Sequence, residues 1–379
     1  MRMTRAPMAI HAITRHGVGI AQRLLAAFPA AHLFASDKVR ALAPPEARPM
    51  PLPMGPWLVE LFGQYDCHVF VISVGAVVRM VAPLLRDKKV DPAVVCVDDD
   101  ARFAICVLSG HVGRGNELTA RVAAALAAVP VITTASDVRG TLTVDILGRE
   151  LGWELDDPDR NVTRGCAAVV NAAPVVFVQE AGEPGFWPED RTLPEGVRYT
   201  TALDDVDPAA AEILLIATDR ELRDSHPAHW ANAVIYRPRS LVVGLGCDRG
   251  ADPAMVERGL MTVLARHQLS PRSIQAIATI DLKASEPAFL ALCARHRWPL
   301  MTFTADELDA TAGIETPSTV VQRHVGTRGV CEPAALRAAG ARALAVTKQI
   351  YTEPGAGRSM TVAVARIPHP RRALSPGVA

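Results

Sequence analysis

Short apolar runs rich in β-branched residues alternate along this chain with longer runs whose apolar positions recur at helical spacing. That alternation is the pattern of α/β architecture. MAIHAIT (8–14) predicts a first strand, GVGIAQRLLAAF (17–28) the helix after it, and HLFAS (32–36) a short second strand. A proline-rich stretch from Pro44 to Pro56 interrupts regular structure. CHVFVISVG (67–75) reads as a buried strand entering a glycine turn, and AVVRMVAPLL (76–85) as a helix ended or kinked near Pro83. AVVCVDDD (93–100) and RFAICVLSG (102–110) flank an acidic turn and predict a hairpin. NELTARVAAALAAVP (116–130) is a strongly amphipathic helix, and VITTAS (131–136) a further strand.

A middle segment from 141 to 238 carries ILGRELGW, VTRGCAAVVN, PVVFVQE and EILLIAT, with a polar, proline-rich loop from Glu180 to Gly196. A loop of that length is either functional or poorly ordered. A last unit opens with RSLVVGLGCDRG (239–250). Three helices, PAMVERGLMTVLARH, EPAFLALCARHRW and EPAALRAAGA, alternate in it with the strands IQAIATID and PLMTFTA. ALAVTKQIY (343–351) and MTVAVARI (360–367) close it as two strands, suited to a hairpin. The expectation is a set of three-layer α/β/α units with parallel or mixed sheets, in two to three domains. Their bounds are 1–140, 141–238 and 239–368, followed by a disordered tail, 369–379. A length of 379 residues agrees, at roughly 100–200 residues per domain.

Composition narrows the function. Hydrophobic residues at 49% supply sizeable cores and exclude a disordered chain. Forty basic residues balance 40 acidic ones, which argues against a globally basic nucleic-acid binder, and 5% aromatics disfavour a base-stacking platform. The N-terminus has no apolar stretch of signal-peptide length, and Val69–Leu85 is too short and interrupted to span a bilayer, so a soluble cytoplasmic protein is the default. The seven cysteines are odd in number and form no C-x-x-C pair, which disfavours a zinc site or a disulfide framework. Cys67, Cys96 and Cys106 read as small core residues; Cys247 and Cys331 stand in turn-like settings. Only five lysines accompany 35 arginines, and Lys283 and Lys348 are the two that lie outside polar runs.

Three stretches are able to carry chemistry. In LSGHVGRGNELTARVAAALAAVP (108–130) a strand runs into Gly110, Gly113 and Gly115, and Asn116 is a good residue to cap the helix that follows. Glycines admit a ligand close to the backbone, and a helix N-terminus offers free N–H donors to an anion. His111 can act there as acid, base or donor. Glu117 would hold a water or favour the helix dipole, and Arg114 converges on the same loop. In VVGLGCDRG (242–250) the spacing is G-x-G-x-x-x-G, close to a dinucleotide fingerprint but without an acidic residue at the ribose distance. Arg249 in that turn suits carboxylates or phosphates. TIDLKASEP (279–287), HVGTRGVCEPAAL (324–336) and VTKQIY (346–351) place charges at expected strand ends, so Arg249, Lys283 and Lys348 would line one crevice. Read from the residues alone, these are loops suited to a polyanionic small molecule, with the reaction left open.

Several of these strings together resemble the CbiG family of cobalamin-biosynthesis proteins, the cobalt-precorrin-5A hydrolases. They are ISVGAVVRMVAPLLRDKKVDPAVVCVDDDARFAICVLSGHVGRGNELT, VVGLGCDRG, IDLKASEP, VGTRGVCEPAAL and VTKQ, and the likeness runs from Met8 to about Ile367. The last unit also resembles CobE, a stand-alone relative. Two departures stand out. The family's glycine turn more often reads GCRRGT, where this chain has Asp248 and Ala251, and Arg114 stands where a small residue is common.

The resemblance implies opening of the δ-lactone of cobalt-precorrin-5A and release of the extruded meso carbon, with its methyl group, as acetaldehyde. On that footing His111, with Glu117 nearby, becomes the base for a lactone-opening water, and N–H groups of the Gly113–Gly115 loop serve the oxyanion. Should His111 not be the base, Glu286, His324 and Glu332 come next. Arg79, Arg249, Lys283 and Lys348 become partners for the substrate's carboxylates, with Gly110, Gly113, Arg114, Asn116, Gly246, Glu286 and Glu332 as further binding residues. Cobalt arrives inside the substrate, so neither cofactor nor protein-bound metal is expected. The implied partner is a corrinoid small molecule, with neighbouring pathway enzymes and a second copy of the chain as further candidates. A tetrapyrrole-handover protein and a nucleotide-dependent enzyme built on Gly244–Gly250 are the rival classes.

Overall fold

The structure, a computed structural model, describes residues 5–188, 190–353 and 357–370. The tail expected to be disordered lies outside the described residues from Arg371 onward. The chain forms two compact units, Met1–Ile146 and Leu147–Ala379.

The first unit runs β1 (Ala9–Ala12), α1 (Arg15–Ala27), β2 (His32–Ser36), β3 (Arg48–Met50), α2 (Met54–Leu61), β4 (Cys67–Val71), α3 (Val74–Val81), β5 (Ala93–Val97), β6 (Phe103–Leu108), α4 (Gly115–Leu126), β7 (Val129–Val131) and α5 (Ala135–Arg139). Its sheet has the order β3-β2-β1-β4-β5-β6-β7. The first five in that order are parallel, β6 turns back against β5 as the expected hairpin, and β7 runs parallel to β6. Side chains alternate across the sheet with the period of two that a strand imposes. Ile10, Ala12, Val69, Val71 and Val95 pack with α1 and α4. Ala9, Phe34, Phe70, Val94 and Cys96 pack with α2 and α3 on the other face. Helices on both faces make this a three-layer α/β/α unit.

Two local expectations change. The stretch from Pro44 to Pro56 is not irregular throughout: Pro49 lies in β3, an edge strand, where a residue without an N–H is tolerated. Met54 then opens α2. The strand expected over VITTAS stops at Val131, and Ala135 begins α5.

The second unit carries two sheets. The first holds β8 (Glu154–Leu155), β9 (Val175–Gln179), β10 (Val197–Thr200), β11 (Ile213–Ala217) and β12 (Ala233–Arg237), with helices α6 (Val162–Val170) and α7 (Pro227–Ala231). Its order is β10-β9-β11-β12-β8, parallel except for β8. The long loop after β9 is held by its own aromatic residues. Phe186 meets Phe177 at 4.4 Å between ring centroids, and Trp187 and Leu193 are buried.

The second sheet comprises β13 (Leu241–Cys247), β14 (Ile274–Ile280), β15 (Leu300–Phe303), β16 (Leu344–Thr352) and β17 (Ser359–Arg366), in the order β15-β14-β13-β17-β16. Helices α8 (Pro253–Arg266) and α9 (Pro287–His296) cover one face, and α10 (Ala305–Asp309) and α12 (Cys331–Ala339) the other; α11 (Thr319–Val325) precedes α12. The last two strands pair antiparallel, as expected. Asp219, buried after β11, joins the two sheets. It accepts from the Arg366 guanidinium at 2.9–3.2 Å and from Ser240 Oγ at 3.0 Å.

Gly244 is fixed by packing. A Cβ there would lie 1.8 Å from the Cys331 carbonyl oxygen, because the first turn of α12 rests directly on β13. The glycines of the fingerprint-like turn thus include one required by the backbone of the protein itself rather than by a phosphate. Gly244→Ala is expected to cost about 1–3 kcal/mol, the usual range for overpacking a tight site. Chemical denaturation of the variant checks this; an unchanged midpoint would show that α12 yields freely.

Candidate active site

Because β6 and β7 run parallel to each other, the loops at their carboxyl ends share one edge of the first sheet. The loop after β6 folds back on itself. Ser109 and Arg114 both adopt left-handed backbone, at φ +56° and +61°. A Cβ on Gly113 would lie 2.4 Å from Ser109 Cβ, and one on Gly110 would lie 2.8 Å from Asn116 Oδ1. Arg114, not Asn116, is the residue that caps α4. Asn116 lies inside the first turn, buried, and its amide nitrogen donates to Thr134 Oγ1 at 2.6 Å and Asp137 Oδ2 at 2.9 Å. The Arg114 and Gly115 N–H groups donate to the His111 and Ser109 carbonyls, both at 2.9 Å. Those two N–H groups are therefore already engaged and do not form the oxyanion site expected of Gly113–Gly115.

His111 stands between two carboxylates. Its Nδ1 lies 3.2 Å from Asp145, and its Nε2 lies 2.8 Å from Asp137 Oδ2 and 3.0 Å from Ser136 Oγ. The hydrogen bond to Asp145 raises the His111 pKa above its ordinary value. Partial burial works against this, and Asp137 adds to the rise. A ring with a carboxylate at each nitrogen is satisfied when both nitrogens carry protons, so the imidazolium is the favoured form. Glu117, expected to orient His111, does not. It pairs with Arg114 at 3.4 Å and Arg121 at 3.8 Å along its own helix, where three- and four-residue spacing puts charges side by side. Arg79 is exposed in the last turn of α3.

Sequence reasoning missed both partners of His111. Asp137 and Asp145 lie 26 and 34 residues away, Asp137 in a polar stretch and Asp145 as a lone carboxylate between Val144 and Ile146, beyond the boundary expected at 140. No spacing marks a contact made only by the tertiary fold.

In the second unit, a cleft of about 920 Å3 opens at the carboxyl ends of β13 and β14. Gly246, Arg249, Lys283, Glu286 and Lys348 all line it. Lys283 Nζ lies 2.7 Å from Glu286 Oε2, and Glu286 Oε1 accepts the Gly250 N–H at 3.0 Å. Burial pushes the Glu286 carboxyl upward, but the bonds from Lys283 and Gly250 outweigh it and leave the pKa lowered. Glu286 thus fixes the glycine turn and the lysine as a unit. Lys348, expected at a strand end, sits within β16 at a break in register, and its Nζ donates to the Thr316 carbonyl at 2.7 Å.

Glu332 departs from its expected binding role. It is buried, outside the cleft lining, and accepts from the Glu315, Thr316 and Lys348 N–H groups and the Thr316 hydroxyl, each at 2.9 Å. Its oxygens serve protein donors. Cys247 ends β13 and Cys331 opens α12, so neither lies in a turn. Burial pushes both thiols up to about 11, which keeps them protonated at neutral pH. Among the described residues no His, Cys, Asp or Glu group is arranged to hold a metal ion, and no helix is long and apolar enough to cross a membrane.

A histidine held between two carboxylates in the first unit suits an enzyme that moves protons, and the cation-rimmed cleft of the second unit, taken by itself, suits a polyanionic small molecule. The comparisons with known proteins agree with that class and name its family. The family model described as Cobalamin synthesis G N-terminal matches residues 56–137, Cobalamin biosynthesis central region 142–238, and Cobalamin synthesis G C-terminus 241–365. The chain is 38% identical over 368 residues to the cobalt-precorrin-5A hydrolase of Priestia megaterium, covering 96% of each. It is 31% identical over 335 residues to the protein of that name from Salmonella typhimurium, covering 86% of this chain and 90% of that one. A 113-residue stretch is 34% identical to protein CobE of a Sinorhizobium species, covering 30% of this chain and 73% of the relative. The chain belongs to the CbiG family, as its motifs imply, and is a hydrolase of cobalamin biosynthesis.

Proposed function

We propose that the substrate is cobalt-precorrin-5A and that the chain opens its δ-lactone with water, then breaks a carbon–carbon bond to release acetaldehyde and leave cobalt-precorrin-5B. The observation that carries the chemistry is His111 clamped between Asp145 and Asp137. Asp137 is the more exposed carboxylate and takes the proton of the attacking water. His111, held charged by Asp145, gives its Nε2 proton to the alkoxide set free when the lactone C–O bond breaks. The new alcohol then loses its proton as the bond to the ring breaks. The electron pair stays on the ring carbon, which is protonated, and the carbonyl leaves as acetaldehyde. Water is the only co-reactant, and cobalt enters within the substrate, so the chain needs no cofactor of its own. The enzyme works in the cytoplasm and passes its product to the next enzyme of the pathway.

Binding rests on the second-unit cleft. Arg249 is an exposed fork of donors, and Lys283 and Lys348 present ammonium groups to acetate and propionate side chains. A hydrogen bond to a charged group contributes ~1.5–3 kcal/mol. Lys283→Ala or Arg249→Ala is therefore expected to weaken binding of a corrinoid polycarboxylate by about ten- to a hundredfold. Titration with cobyrinic acid checks this, and unchanged dissociation constants for both variants would count against the cleft.

The deciding experiment incubates the purified chain with cobalt-precorrin-5A. Acetaldehyde should appear in step with lactone opening, without added nucleotide or metal. Substrate that binds and returns unchanged would mark a carrier instead.

A further inference from the structure

His324 lies in the last turn of α11 and lines the second-unit cleft. Its Nδ1 is 2.9 Å from the Val320 carbonyl oxygen, one turn back. A carbonyl only accepts, so Nδ1 carries the proton, and in the neutral ring Nε2 keeps its lone pair. A metal-ligating histidine is commonly prepared in this way, with the other ring N–H bound to a backbone carbonyl.

The surroundings specify what kind of metal would meet it. Leu282, Val320 and Ile350 line the same cleft yet are 65–69% exposed. Water-exposed apolar side chains of that size, gathered in one cleft, mark a binding surface for an apolar face. Arg249, Lys283 and Lys348 supply cations in the same cleft. A flat macrocycle with apolar faces, a carboxylate periphery and a metal at its centre uses all three features. No cluster of protein ligands is required, because the ring itself supplies the equatorial nitrogens.

We propose that His324 is an axial ligand, through Nε2, to the cobalt of the bound corrinoid. The inference rests on the reading of the cleft as the corrinoid site and extends it, making His324 the residue by which the cleft prefers a cobalt-bearing ring over a metal-free one. The ligation is a binding contact and adds no chemical step.

The test uses cobalt(II) cobyrinic acid, a stable corrin with free carboxylates, and its metal-free counterpart. The unpaired electron of low-spin cobalt(II) points along the axial direction, so an axial nitrogen splits each cobalt line in the electron paramagnetic resonance spectrum. The wild-type complex should show a nitrogen triplet, collapsing to a doublet with nitrogen-15-labelled protein. His324→Ala should still bind the cobalt ring, lose the splitting and lose the preference over the metal-free ring. Because His324 is exposed, this variant should keep the wild-type unfolding midpoint, and the isotope experiment needs no variant. Splitting that persists in His324→Ala, or is missing from a wild-type complex that Lys283→Ala abolishes, overturns the ligand assignment and leaves the cleft reading standing. If neither ring binds the wild-type protein, both fall.

Discussion

His111→Ala is expected to lower single-turnover acetaldehyde release by about 10²–10⁴-fold, the usual contribution of a positioned acid or base. Substrate affinity should change far less, since the loss concerns the transition state. The magnitude follows from the setting: the ring is held from both sides, so an alanine removes the proton carrier and leaves Asp137 and Asp145 with no cation between them. His111→Gln keeps a donor and should recover little, because an amide does not deliver a proton. Asp137→Asn should fall as far, since it keeps an acceptor that cannot take the water's proton. The pH profile separates donor from base. His111 has a raised pKa, so a step that needs the imidazolium runs at low pH and fails as pH rises through that value. A step that needs the neutral ring shows the opposite slope. Asp145→Asn removes the largest cause of the rise and should move that limb to lower pH. Near-normal turnover in His111→Gln would reduce the residue to a substrate-binding donor and sink the acid–base assignment.

The strands were legible because burial writes itself into composition. AVVCV is buried along its whole length and reads as an uninterrupted apolar run, and CHVFV, equally buried, is broken only by His68. The acidic turn between β5 and β6 was legible because Asp98 and its neighbours have no place in a ladder. Indeed Asp98 accepts the Phe103 N–H at 2.6 Å to close the hairpin. Other features were hidden for physical reasons. The cap of α4 falls on Arg114, against the intrinsic preference for Asn116, because the buried Asn116 side chain is needed for Thr134 and Asp137. His11 and His68 are polar residues inside two buried strands, β1 and β4. They form a fully buried pair, Nε2 to Nδ1 at 3.0 Å, packed among Phe34, Phe62 and Phe70. Burial pushes both below the ordinary histidine range, His68 to about 4, so the pair is neutral and structural. Arg249 and Lys283 follow from strand-end placement and Lys348, inside β16, does not, while the carboxylates around His111 escaped it because they come from α5 and the segment beyond it.

Glu332→Ala is expected to destabilise the second unit by about 3–5 kcal/mol, as for leaving several buried donors without their acceptor. Glu332 ties together three segments that are distant in sequence: residues 315–316, the first turn of α12, and β16 at Lys348. Without it, three backbone N–H groups and one hydroxyl lose their acceptor, at ~1–3 kcal/mol for each that stays buried and unpaired. Relaxation toward water keeps the total below their sum. For a unit of this size the midpoint should drop roughly 6–20 °C, at about 2–4 °C per kcal/mol. Cleft binding should weaken too, because the Thr316 carbonyl that holds Lys348 Nζ loses its own anchor. Glu332→Gln keeps the volume and one acceptor oxygen but turns an NH2 group toward N–H donors, so it should fall between. The pH dependence has a definite sign. Burial raises the Glu332 carboxyl, the four donors outweigh that, and its folded pKa is lowered. Its contribution is therefore present in full above the ordinary glutamate value of about 4.3 and is lost as pH falls through the lower folded value. The gap between wild type and Glu332→Gln should close in acid. A Glu332→Ala protein that melts with the wild type yet binds corrinoid poorly would instead return Glu332 to direct contact with the substrate.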